Sequence, residues 1–196
     1  MYKLRTETPD AWAQQVAEEL DTFLPDHAAS ERKASANAMH MVVRYSDKPQ
    51  LVDKMVEVAR EELEHFHRVF YVMQERGVEL EPDEADPYVN ALLKHARSSG
   101  RRRLLDRLLM GSIIEYRGCE RFAMLGRVLQ DFDDASKAKL ADMYSELAAS
   151  DSKHRADFYG LAELYFEEAT LESRLDELLD IEAEVVDDLP VRSALH

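Results

Sequence analysis

The sequence predicts an all-α fold built around four long helices, and three observations carry that prediction. Six glycines and six prolines in 196 residues, set against abundant Ala, Leu, Glu and Arg, suit helices better than strands. No stretch alternates apolar and polar residues with period two for long, whereas apolar residues recur three and four positions apart. Two carboxylate-x-x-His pairs, Glu62/His65 and Asp151/His154, fall on such apolar stripes, and each is preceded by a segment carrying a lone glutamate, Glu31 and Glu115.

The elements follow in chain order. Thr8-Pro9-Asp10 reads as a helix start, with Thr8 as N-cap and proline at the first helical position, leading a short helix to about Phe23. Pro25 is expected to break or kink the pattern, and a second helical stretch runs from there to about Tyr45. Ser46-Asp47-Lys48-Pro49 turns the chain into a helix over about Pro49 to Gln74, stopped at Gly77. An acidic, proline-punctuated loop then leads to a short helix over about Tyr88 to Ala96. After Gly100 a long helix covers about Arg101 to Leu129, with Asp131-Phe132-Asp133-Asp134 as turn and N-cap before another over about Ala135 to Glu168. A last amphipathic helix spans about Leu171 to Val186, and the tail to His196 is expected to be loosely held. Four long helices with one extended connection between the second and third give a ferritin-like four-helix bundle with a long crossover and extra N- and C-terminal helices, one domain over 1–196.

Helical periodicity tests whether the acids and histidines face inward. Leu51, Met55, Val58, Glu62, His65, Val69 and Met73 share one stripe, with Val52, Val56, Ala59, Leu63, Phe66 and Phe70 adjoining it. The overlapping pair Glu64/His67 lies in line with Asp53, Glu57 and Arg60 and belongs to a solvated face. The second pair passes the same test, since Tyr144, Leu147, Ala148, Asp151, His154, Phe158, Leu161 and Tyr165 trace an apolar stripe interrupted only by Arg155. Glu31 is flanked by Leu24, Ala28, Ala34, Ser35, Ala38 and Val42, and Glu115 by Leu108, Gly111, Ser112, Gly118, Cys119 and Phe122. Each helical glycine costs about 1 kcal/mol relative to alanine, so two beside a buried glutamate call for a reason, and space for a substrate or dioxygen is one.

One carboxylate from each of two helices and a carboxylate-x-x-His pair from each of two others form the ligand inventory of a two-metal bundle site. Buried carboxylates are costly unless something positive compensates them, and a metal pair does so. Mixed imidazole and carboxylate ligation suits iron or manganese, and two redox-active ions sharing carboxylates can activate dioxygen. Glu62 and Asp151 are expected to bridge, Glu31 and Glu115 to be terminal, and His65 and His154 to take one ion each.

The single cysteine, Cys119, excludes an intramolecular disulfide or cysteine-ligated cluster, so electrons are expected from an external reductase. No basic-then-apolar leader or membrane-length apolar run is evident, which makes the cytoplasm the default location. A formal net charge of −15 opposes general binding to a polyanion. Lys94, Arg97, Arg101, Arg102, Arg103 and Arg107 nevertheless fall in one short segment whose only acid is Asp106, leaving room for a local phosphate contact, with Arg101, Arg102 and Arg103 as its candidates.

Asp26-His27-Ala28 with Glu31-Arg32-Lys33-Ala34, then Ala59-Arg60-Glu61-Glu62-Leu63 with His65-Phe66, and Ile114-Glu115 with Cys119-Glu120-Arg121-Phe122 resemble the MiaE-type tRNA hydroxylases. The resemblance extends through Tyr88 to Arg97 and Ser150 to Tyr159. It implies a non-haem di-iron monooxygenase that uses dioxygen to hydroxylate the isopentenyl group of a modified adenosine in tRNA. It further implies that Glu31, Glu62, His65, Glu115 and His154 are metal ligands, with Asp151 standing where that family carries glutamate. Two rivals remain open from the residues themselves: a rubrerythrin- or ferritin-like peroxide or iron oxidase, and a metal-free helical interaction protein.

Overall fold

The computed structural model describes residues 2–82, 84–132 and 135–196, and the regular elements among them are helices: α1 (Asp10–Glu18), α2 (Leu20–Arg44), α3 (Pro49–Arg76), α4 (Pro87–Leu93), α5 (Gly100–Gln130), α6 (Ala135–Tyr165) and α7 (Glu168–Asp188). The expected extra terminal helices are α1 and α7, and α4 lies in the long connection between α3 and α5. Of the turn expected before α6, Asp133 and Asp134 lie outside the described residues. No helix among the described residues is long and apolar enough to cross a membrane.

The residues group into two compact units, one of Met1–Ala17, Ala85–Arg192 and His196, the other of Glu18–Glu84 and Ser193–Leu195. The second unit is the α2/α3 hairpin. Its seam includes a buried cluster of Leu24, Ala28, Val69 and Met73, against which Phe66, Val72 and Val78 pack. Burying each large apolar side chain of this kind contributes about 1.5–3 kcal/mol. Polar ties fix the register: Ser35 Oγ donates to the Ala59 carbonyl at 2.7 Å, and Arg76 Nε donates to Asp21 at 2.5 Å. Pro49 begins α3 in its first turn, and Gly77 ends it at φ 70°, a left-handed conformation that costs glycine nothing.

The other unit is organised by the α5/α6 pair, with α4 and α7 packed through Tyr88, Leu92 and Val186. A buried polar network pins α5 within it. The wholly buried Arg117 guanidinium donates to Glu182 Oε1, Thr8 Oγ1, Glu120 Oε2 and the Thr6 carbonyl, at 2.9, 3.1, 2.6 and 2.8 Å. Tyr88 adds a hydroxyl donor to Glu182 at 3.1 Å. Burial pushes the Glu182 carboxyl up despite Arg117, and removing Arg117 would leave a buried acid uncompensated.

Several expectations need correction. The first helical stretch breaks at Glu19, not at Pro25, which lies inside α2. The carbonyl that Pro25 deprives of a donor belongs to Asp21, in the first turn, so the proline is accommodated near the helix end. Thr8 does not cap α1 with its hydroxyl, which instead donates to Glu120 Oε2 at 2.6 Å. On α3 the adjoining apolar stripe is only partly buried, with Leu63 55% exposed. The C-terminal tail is held rather than loose: Ala194 and Leu195 are buried, and the Leu195 amide donates to Asp26 Oδ2 at 2.7 Å. The His196 ring stacks on Tyr88 at 4.8 Å and pairs with Asp86 at 3.0 Å.

Candidate metal centre

The α2/α3 hairpin brings Glu31, Glu62 and His65 together. Glu62 and His65 lie one turn apart on the buried stripe of α3, and Glu31 projects from α2, so that one ligand atom of each lies within 4.8 Å of the others. His65 Nδ1 is 3.2 Å from Glu62 Oε2 and 3.6 Å from Glu31 Oε2. Burial alone would push the Glu31 carboxyl up, but the His27 imidazole at 2.7 Å and that of His65 at 3.6 Å hold it far below its usual range. Burial likewise opposes a charge on His65, yet Glu31 and Glu62 raise it to about 9. Two buried carboxylates thus flank the imidazole and favour positive charge between them, and a metal ion supplies that compensation in such a donor set.

The α5/α6 hairpin brings Glu115, Asp151 and His154 together in the same way, each offering a ligand atom within 4.8 Å of the others. His154 is fully buried, with Nδ1 3.7 Å from Glu115 Oε2. The flanking glycines do not leave the open space that their sequence suggests. A Cβ on Gly118 would stand 2.7 Å from Asp151 Oδ2, and one on Gly111 would stand 2.9 Å from the Phe158 ring. Gly118 therefore makes room for the aspartate carboxylate, and Gly111 for an aromatic side chain.

All six expected ligands are therefore placed in two triads, each drawn from one helical hairpin. Oxygen and imidazole donors without thiolate fit iron or manganese. The discarded pair Glu64/His67 is exposed, as its face implied. Arg155, which interrupts the α6 stripe, is accommodated by aromatic rings: its guanidinium lies 3.6 Å from the Tyr116 ring centroid and 4.8 Å from that of Tyr2, and it donates to the Tyr2 carbonyl at 2.9 Å. The Tyr2 hydroxyl is itself 2.6 Å from Ser112 Oγ, and burial pushes it up to about 12. Burial also pushes the Cys119 thiol up, which suits a packing role better than a reactive one.

The basic segment is less free than its composition implies. Arg97 and Arg174 both bind the buried Asp106, and Arg101 donates to the Tyr165 carbonyl at 2.6 Å. Arg102 is exposed and Arg103 half-buried. His27 carries a role that the metal pattern alone did not assign: fully buried, it stands one turn before Glu31 and lies 2.7 Å from Glu31 Oε1. The four-residue spacing on a buried face was the available signal.

The chain belongs to the MiaE family: the family described as tRNA-(MS[2]IO[6]A)-hydroxylase (MiaE) matches residues 2–196. A tRNA 2-(methylsulfanyl)-N(6)-isopentenyladenosine(37) hydroxylase of Pseudomonas putida is 35% identical over 164 residues, covering 84% of this chain and 77% of the relative. A protein of the same name from Salmonella typhimurium is 33% identical over 165 residues, covering 83% of this chain and 57% of that relative. Among solved structures, a Synechococcus protein described as having aldehyde deformylating oxygenase activity superposes with a TM-score of 0.90 at 31% identity, covering 100% of this chain and 96% of the other. The ferritin-like all-α fold expected from the sequence is thereby shared with an oxygenase along the whole chain.

Proposed function

We propose that this chain is a di-iron monooxygenase that hydroxylates the isopentenyl group of a modified adenosine in tRNA. The observation that carries the reading is the family match over residues 2–196, read with the two carboxylate–histidine triads. In this proposal the chain works as one di-iron domain over 1–196, with Glu31, Glu62, His65, Glu115, Asp151 and His154 as ligands. Glu62 and Asp151 would be the shared carboxylates, Glu31 and Glu115 the terminal ones, and each histidine would serve one ion. An iron pair supplies the redox chemistry by which dioxygen, two electrons and two protons convert a C–H bond to C–OH and release water.

The chain's own residues hold and shield that chemistry. His27 stands 2.7 Å from Glu31, and Gly118 admits the Asp151 carboxylate. Phe158, seated over Gly111, fills space that water would otherwise occupy in the α5/α6 hairpin. The two electrons consumed in each turnover come, in this scheme, from a separate reductase. The proposed setting is the cytoplasm, where tRNA is available.

The test is mass spectrometry of tRNA nucleosides after incubation with iron-loaded protein, reductant and dioxygen. A hydroxylated isopentenyl nucleoside is expected, and its absence under conditions where the protein consumes dioxygen would reject the substrate. The same preparation tests docking. Replacing Arg101, Arg102 and Arg103 by glutamine should weaken tRNA binding and flatten its salt dependence while metal content stays unchanged. Undiminished binding would remove this segment from the interface. A second reading, oxygen-dependent deformylation of an aldehyde, is favoured by the 31% identity to the Synechococcus oxygenase. Formate and alkane produced from a long-chain aldehyde, with tRNA left unmodified, would select it.

A further inference from the structure

The two triads share their ligand pattern but not their support. On α2 the residue one turn before the lone glutamate is His27, wholly buried, and its Nε2 lies 2.7 Å from Glu31 Oε1. An ionised carboxylate can only accept, so the imidazole N–H donates to it. That bond occupies one oxygen of Glu31 and leaves Oε2 on the side of His65, 3.6 Å from its Nδ1. His27 is not itself among the residues whose ligand atoms converge, which are Glu31, Glu62 and His65. Its ring stacks on Phe23 at 5.5 Å, so the donor is held in place by packing.

On α5 the corresponding position, one turn before Glu115, is Gly111, which has no side chain to donate and is covered by the Phe158 ring. The Glu115 side chain is also more accessible, 12% exposed against 5% for Glu31. One terminal carboxylate is therefore anchored by its own helix, whereas the other has no such anchor on its helix.

Resting on the dimetal reading above, we propose that His27 is a positioning residue that holds Glu31 in its ligating orientation, and that the α2/α3 triad is the tighter of two inequivalent metal-binding halves. Pre-setting a carboxylate removes rotamer freedom that binding would otherwise have to freeze, and hydrogen-bonding partners of metal ligands typically change affinity by about 10–100-fold when removed.

Anaerobic titration of metal-free protein with Co(II), followed by visible absorption and calorimetry, tests this. The wild-type chain should bind two ions with unequal affinity. His154→Ala should lose the weaker class and keep the tighter one. His27→Phe preserves the ring stacked on Phe23 but removes the donor, and should weaken the tighter class about 10-fold or more with the other unchanged. His27→Gln, which restores an N–H, should bind like the wild type and thus separates the hydrogen bond from packing. Melting of the metal-free variants confirms that they are folded. Wild-type affinity in His27→Phe, equal weakening of both classes, or a His27→Gln variant as weak as His27→Phe would each overturn the inference while leaving two-ion binding intact. A folded wild-type chain that binds no metal would overturn the dimetal reading and this inference with it.

Discussion

The α2/α3 and α5/α6 hairpins carry the same order of ligands and solve the burial of two carboxylates differently. In α2/α3 the charges are compensated within the triad and its immediate helix, with His65 between Glu31 and Glu62 and His27 behind Glu31. In α5/α6 His154 likewise stands 3.7 Å from Glu115, and the further accommodation is steric: Gly111 and Gly118 carry no side chain, and Phe158 and the Asp151 carboxylate fill that volume. One half adds a hydrogen-bond donor behind its lone glutamate, and the other adds close approach. A repeated motif therefore does not imply two equivalent metal positions, because the residues that set each position lie one turn away from the motif itself.

The largest expected effect breaks the comparison outright. His65→Ala and His154→Ala each remove an imidazole donor from one triad, and iron-reconstituted protein of either variant should lose about half or more of its metal by elemental analysis. Full metal content in both would mean that neither histidine is a ligand.

Two glycine substitutions sharpen the contrast, because their costs should fall on different properties. In Gly118→Ala the new Cβ meets only the end of the Asp151 side chain, at 2.7 Å, so the carboxylate can swing away. The helix gains roughly 1 kcal/mol of propensity, stability holds or rises, and metal affinity falls about 10-fold. In Gly111→Ala the Cβ meets Phe158 at three ring atoms, between 2.9 and 3.2 Å, in a packed site where the ring cannot swing freely. Overpacking of this kind costs about 1–3 kcal/mol, so the melting temperature should drop while metal affinity changes less than in Gly118→Ala. Denaturation and Co(II) titration of both variants check the pattern, and the reverse assignment would contradict this account of the glycines.

The helical architecture and the clustering of these acids and histidines were legible because both depend on periodicity, which a sequence displays directly. Glu62 and His65 could be separated from Glu64 and His67 because a one-turn stripe of Val58, Val69 and Met73 marks the buried face of α3. What escaped depends on atoms distant in sequence. Thr8 looks like an N-cap until Glu120, far along the chain, takes its hydroxyl, and the tail looks loose until Asp26 and Asp86 are seen to hold it. The glycines of α5 announced missing volume, but not that Phe158 and Asp151 fill it. The break at Glu19 rather than Pro25 shows the limit of local rules, since a proline near the start of a helix deprives only a first-turn carbonyl of its donor.

The smallest expected effect makes the two halves alike. Asp151→Glu gives both hairpins a Glu-x-x-His pair, and the added methylene moves the carboxylate by about one carbon–carbon bond, roughly 1.5 Å. The Asp151 carboxylate already occupies the space beside Gly118, but a flexible carboxylate arm can re-aim, so the fold should lose about 1 kcal/mol, the low end for an added methylene. The metal environment should respond more than the fold, since a carboxylate shared by two ions sets their spacing and the geometry at each. Visible absorption of the oxidised, iron-loaded variant should shift, and the Co(II) affinities of the two classes should draw closer together or further apart. An unchanged spectrum with unchanged affinities would place Asp151 outside the ligand set and leave Gly118 as a packing feature alone.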